Sequence, residues 1–117
     1  MHQGLSRLWR LRRRPEFLKV QRRGVKTRGR YLTLFSLPNG LDTSRLGVIA
    51  TRKLGGAVQR NRAKRVMREL FRLNRGSLGF DIVALLRPSF SEKPYRLLEE
   101  DYRVALESQN RSYRYKM

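Results

Sequence analysis

The chain has 117 residues, the size of one domain and too short for two separate cores. Its 28 Lys and Arg against 9 Asp and Glu give a formal net charge of +19, a self-repulsion that a polyanionic partner relieves. The absence of cysteine removes disulfides and thiolate metal sites and fits a reducing, cytoplasmic setting; no apolar run approaches the ~20 residues of a membrane span, and no apolar stretch follows the basic N-terminus as in a secretory signal.

Leu, Val, Ile and Phe make up more than a quarter of the chain, above the ~20% below which high charge means disorder. Residues 1–13 are basic, with scattered apolar positions at Leu5, Leu8, Trp9 and Leu11, and read as a mobile arm. A single domain follows over 14–110, with a basic tail over 111–117 that is expected to fray. Pro15 suits a first helical position and Gly24 the residue after a helix, so a short helix is predicted over about 15–23. A weak strand near Val25–Thr27 precedes a stronger one, Tyr31 to Leu37, which ends at the turn cluster Pro38-Asn39-Gly40. Leu46 to Thr51 reads as the next strand, joined closely enough to form an antiparallel pair with it.

After Gly55-Gly56, the spacing of Ala63, Val66, Met67 and Leu70 predicts a helix over 57–73, ending before Gly76. Phe80 to Leu86 is apolar on both faces, as a central strand is. Pro94 starts a last helix, with Tyr95, Leu98, Tyr102, Ala105 and Leu106 as its apolar stripe. The order α-β-β-β-α-β-α predicts an α+β fold, a small two-layer sandwich with helices on a mostly antiparallel four-stranded sheet.

The 57–73 helix carries the strongest functional signal. Arg60, Lys64, Arg65, Arg68 and Arg72 fall in one arc with Asn61, while Arg62 lies outside it. Glu69 is the one acid among these cations. Like charges at i, i+4, such as Arg60/Lys64 and Lys64/Arg68, destabilise a helix unless something outside the chain offsets them. Guanidinium forks match phosphate oxygens, and an asparagine can hydrogen-bond a base edge or sugar. Arg52-Lys53 and the helix N-terminus add further phosphate donors. An ordinary solvated face would mix both signs; this one points to nucleic acid.

Strand alternation places Tyr31 and Phe35 on one face, with Phe17 approaching from the first helix. Rings flanked by cations can stack single-stranded bases; the same rings would also serve as core, and the sequence alone does not choose. No catalytic set is visible: His2 is the one histidine, the acids cluster mainly toward the last helix, with Glu99, Glu100, Asp101 and Glu107 on it, and Asp81 stands alone in its strand. A structural ribosomal protein or a sequence-specific DNA binder could share these features.

Gly55, Ala57-Val58, Arg60-Asn61-Arg62, Lys64-Arg65 and Arg68 resemble the signature of the bacterial ribonuclease P protein family. Arg12-Arg13-Arg14-Pro15-Glu16-Phe17-Leu18-Lys19-Val20 resembles the family's first helix, Gly29-Arg30-Tyr31-Leu32 and Arg45-Leu46-Gly47 its strand starts, and Asp81-Ile82-Val83 with Arg87-Pro88 its last strand. The resemblance spans roughly residues 7–106. It implies the same α-β-β-β-α-β-α sandwich and a subunit of an endoribonuclease that removes the 5′ leader of precursor tRNA. The chemistry would belong to a catalytic RNA and the magnesium it holds, with no catalytic residue, membrane or small-molecule substrate for the protein. Arg60, Asn61, Arg62, Lys64, Arg65, Arg68 and Arg72 would meet the catalytic RNA. Phe17, Tyr31, Phe35, Arg52, Lys53 and Arg87 would line the leader cleft. Gln21, where many members carry a second aromatic, and Gly56, where asparagine is common, depart from the pattern.

Overall fold

The computed structural model describes residues 7–74 and 79–116. Its elements are helix α1 (Arg14–Arg23), strands β1 (Val25–Arg28), β2 (Leu32–Pro38) and β3 (Arg45–Ile49), helix α2 (Ala57–Leu73), strand β4 (Phe80–Leu86) and helix α3 (Tyr95–Lys116). Short 3-10 turns at Arg7–Trp9, Arg52–Leu54 and Pro88–Glu92 complete the description. The predicted end of α2 before Gly76 agrees with Leu73; Gly76 itself lies outside the described residues.

The sheet runs β1-β2-β4-β3, with β1–β2 and β2–β4 antiparallel and β3–β4 parallel. The sheet is therefore mixed, and β2 and β3 are not the antiparallel neighbours expected from their short connection. β4 is apolar on both sides and takes the interior place between them, where both faces are covered. The α2 crossover supplies the long connection that a parallel β3–β4 pair needs.

Side-chain alternation divides the sheet into two faces. On one, Leu32, Leu34, Leu46, Ile82, Ala84 and Leu86 meet Ala63, Met67, Leu70 and Phe71 of α2 and Leu98, Tyr102, Ala105 and Leu106 of α3. This is the main core. Tyr95, expected in the α3 stripe, is instead exposed. On the other face α1 lays Val20 and Phe17 against Phe35 and Val83. Gly24, which ends α1, has no side chain because a Cβ there would stand 2.5 Å from the Ser36 carbonyl oxygen.

The packed body begins before residue 14. Arg10 pairs with Leu46 as a parallel bridge along the β3 edge, and the Leu11 N–H donates to the Leu46 carbonyl at 2.9 Å. Leu11 is buried in the α1-side cluster, and Trp9 packs on the main core. Residues 1–6 lie outside the described residues. At the other end, α3 continues through the expected tail: Tyr113 stacks at a tilt on Phe80, with ring centroids 5.0 Å apart, and its hydroxyl donates to the Ser36 carbonyl.

Candidate nucleic-acid interface

Helix α2 follows from its stripe. Ala63, Met67, Leu70 and Phe71 face the sheet, which turns the intervening cations outward. Asn61, Arg62 and Arg65 are exposed, while Arg60, Lys64, Arg68 and Arg72 are half-buried along the flanks. Arg72 is engaged, donating to Glu69 one turn earlier. Among the described residues no other cation of the helix has an ion pair. Burial and the neighbouring Arg10 hold the Arg68 pKa below its ordinary value; a guanidinium remains charged there all the same. At the N-terminus, Gly56 is the extended N-cap and offers no side-chain acceptor to the first-turn N–H groups. Arg52 and Lys53 are exposed in the turn just before it.

The α1 side of the sheet is organised in register rows. Arg45, Asp81 and Leu37 form one; Gly47, Val83, Phe35 and Lys26 the next; Ile49, Leu85, Thr33 and Arg28 the third. The first row anchors α1. Arg45 donates to both Asp81 carboxylate oxygens, at 2.8 and 2.7 Å, and reaches Glu16 of α1 at 3.4 Å. Asp81, expected to stand alone, thus binds Arg45 and also accepts from Asn39 at 2.9 Å; the hydrogen bond from Arg45 to Asp81 raises the Arg45 pKa. Glu16 in turn accepts the Arg13 and Arg12 backbone N–H groups at 3.1 and 3.2 Å, at the positive end of the helix.

The second row seats Phe17. A Cβ on Gly47 would stand 2.5 Å from two ring carbons of Phe17, so the missing side chain is the space the ring occupies. Phe17 stays half-buried, with Gln21 one turn further along α1. Phe35 is 7% exposed and lies in the core beneath α1, with the Lys26 ammonium 5.8 Å from its ring centroid. In the third row Ile49 and Leu85 remain half-buried and Arg28 exposed.

Tyr31 departs from the expected face. It precedes β2, so strand alternation does not govern it, and it packs against the main core instead. Asp101 of α3 holds it there, accepting the Tyr31 and Arg30 N–H groups at 2.9 and 2.8 Å; the Lys93 ammonium lies 5.7 Å from its ring centroid. Arg87, at the end of β4, donates its backbone N–H to the Tyr31 carbonyl at 3.0 Å, and its Nε is buried without a hydrogen-bond partner among the described residues. Arg87, Arg52 and Lys53 follow the parallel strands β4 and β3, and so lie at the same end of the sheet as the third row.

The structure thus gathers Phe17, the half-buried third row and the cations at its end along one side, and the α2 ridge along another. The Ribonuclease P family model matches residues 5–109. The chain belongs to the ribonuclease P protein family. The ribonuclease P protein component of Thermotoga maritima is 42% identical over 95 residues, covering 80% of this chain and 81% of that protein. The solved ribonuclease P protein of Thermotoga maritima superposes with a TM-score of 0.77 at 36% identity, over 85% of this chain and 96% of that one. That of Staphylococcus aureus gives a TM-score of 0.77 at 26% identity, over 85% and 93%.

Membership makes the chain a component of a tRNA-processing ribonucleoprotein ribonuclease whose partner is a ribonuclease P RNA. Among the described residues no three or more His, Cys, Asp or Glu side chains form a group able to hold a metal ion, and no helix is long and apolar enough to cross a membrane. Sequence reasoning named Arg45 and Gly47 only as part of a strand start and Trp9 and Leu11 only as apolar positions of an arm, and missed that Arg45 anchors α1, that Gly47 seats Phe17 and that 9–11 is packed. An isolated glycine inside a strand and a lone acid in an apolar one were the available signals.

Proposed function

We propose that this ribonuclease P protein assists endonucleolytic removal of the 5′ leader of precursor tRNA by binding two RNA segments on two surfaces. The α2 ridge, with Arg60, Asn61, Arg62, Lys64, Arg65, Arg68 and Arg72, takes the catalytic RNA through its phosphates. The α1-side face of the sheet, with Phe17 at its margin and Arg52, Lys53 and Arg87 at its end, takes the single-stranded leader. Phe35 supports Phe17 and the sheet from beneath, and Tyr31 orders the chain where β2 begins. Magnesium is held mainly by the RNA, which performs the hydrolysis, and the protein contributes affinity and orientation.

The observation that carries this reading is the outward face of α2: its exposed cations have no acid partner among the described residues, and contact with a polyanion relieves their repulsion. The test is reconstitution of purified protein with a bacterial ribonuclease P RNA and a precursor tRNA at low magnesium. Leader removal is expected to accelerate over RNA alone. Arg65→Ala should weaken assembly, and Phe17→Ala should weaken the preference for a substrate that carries a leader by roughly tenfold. No acceleration with RNA binding intact would replace this reading with that of a basic structural RNA-binding protein.

A further inference from the structure

The 9–11 segment places consecutive residues in different surroundings. Trp9 packs on the main core and Leu11 in the α1-side cluster, so the backbone between them is fixed at both ends. The Arg10–Leu46 bridge fixes the side-chain direction as well. Residues paired across a bridge point to the same face, and Leu46 faces the α2 core. Arg10 therefore rises on the side of the sheet that carries α2, where its charge is felt by Arg68.

A guanidinium fixed on the side of the sheet that carries a helix already bearing six cations is an unusual arrangement for an isolated protein. Among the described residues neither Arg10 nor Arg68 has an ion pair. Among the described residues the buried Arg10 Nε has no hydrogen-bond partner, and the same holds for the Nε of Arg60 on α2. Like charges in a partly desolvated setting repel more strongly than in water. The packing of Trp9 and Leu11 holds Arg10 in place against that repulsion.

We infer that Arg10 extends the cationic flank of α2 on the Arg68 side and contacts the phosphodiester backbone of the RNA that lies along that helix. This rests on the reading of α2 as the catalytic-RNA surface and adds to it a residue from outside the helix. A backbone phosphate there would receive charge-assisted hydrogen bonds from the Arg10 guanidinium and offset its repulsion by the helix cations. The N-terminal segment then contributes to RNA binding through a built position.

The signature is a pair of opposite effects. Arg10→Gln removes one of the mutually repelling charges, so the free protein should melt at or above the wild-type temperature. The same variant should bind ribonuclease P RNA roughly three- to tenfold more weakly, with the slope of log K against log salt shallower by about one. Arg10→Lys should keep the slope and recover part of the affinity. The experiment measures thermal melting of the free protein and a salt series of RNA binding for these variants, with Arg65→Ala alongside and inorganic phosphate as a separate probe. Unchanged affinity and slope for Arg10→Gln, with Arg65→Ala still weakened, would overturn the Arg10 contact alone. Phosphate raising the melting temperature of wild type but not of Arg10→Gln, with RNA affinity unchanged, would assign Arg10 to a free anion and also overturn it. A wild type that does not bind this RNA would overturn the contact together with the reading beneath it.

Discussion

On the α2–α3 side of the sheet, Leu34, Ile82 and Ala84 are at most 2% exposed, whereas on the α1 side Leu37, Ile49 and Leu85 remain half-buried. The first face is closed by two long helices and holds the large buried rings Phe71 and Tyr102; the second is crossed by a ten-residue helix over only part of its rows. A small domain needs one well-closed core for stability. The contrast places the well-closed core on one face and leaves the other, with its apolar floor and cationic margin, more open.

That contrast can be broken or sharpened by substitution. Phe71→Ala strikes the closed face and should cost about 3–5 kcal/mol, read from urea unfolding of the free protein; a loss under ~1 kcal/mol would mean that this face is not the stabilising one. Gly47→Ala strikes the open face. The added methyl must push the Phe17 ring aside, costing about 1–3 kcal/mol of stability. It should also weaken discrimination between precursor and mature tRNA while leaving affinity for the catalytic RNA within roughly twofold, and equal losses on both RNAs would show that the two surfaces are not separable. Val104→Ser, on the outer side of α3 at 60% exposure, should change stability by less than about 0.5 kcal/mol and leave leader removal untouched. A marked loss of activity there would reveal a third working surface.

Much of this was legible in the sequence, for reasons that differ by element. The limits of α2 and β4 agree with the predicted ones because each is set by a local pattern, a helical stripe in one and an unbroken apolar run in the other. Strand order was not legible: whether β3 pairs with β2 or β4 is decided by which strand must be covered on both sides, a property of the assembled sheet. Tyr31 was placed by alternation, which holds only inside a strand, and Asp101, 70 residues away, overrides it. Asp81 read as isolated because its partners, Arg45 and Asn39, are brought to it by the pairing of β3 and the turn after β2. The cationic ridge was visible because it depends on helical geometry alone, while the placement of Arg10 depends on a bridge to a strand more than thirty residues away.

The interior position of β4 also sets a sequence of events during synthesis. Both strands that flank it are made earlier, yet neither β2 nor β3 can complete its pairing until residues 80–86 have left the ribosome. Before then the nascent chain can form little beyond the β1–β2 hairpin, which is marginal on its own. The sheet closes only when a late segment is inserted between two early ones, a high-contact-order step that makes folding slow and nearly all-or-none. A chain with this much positive charge spends that interval unfolded beside ribosomal RNA, so its earliest encounters with polyanions precede the fold that gives them specificity.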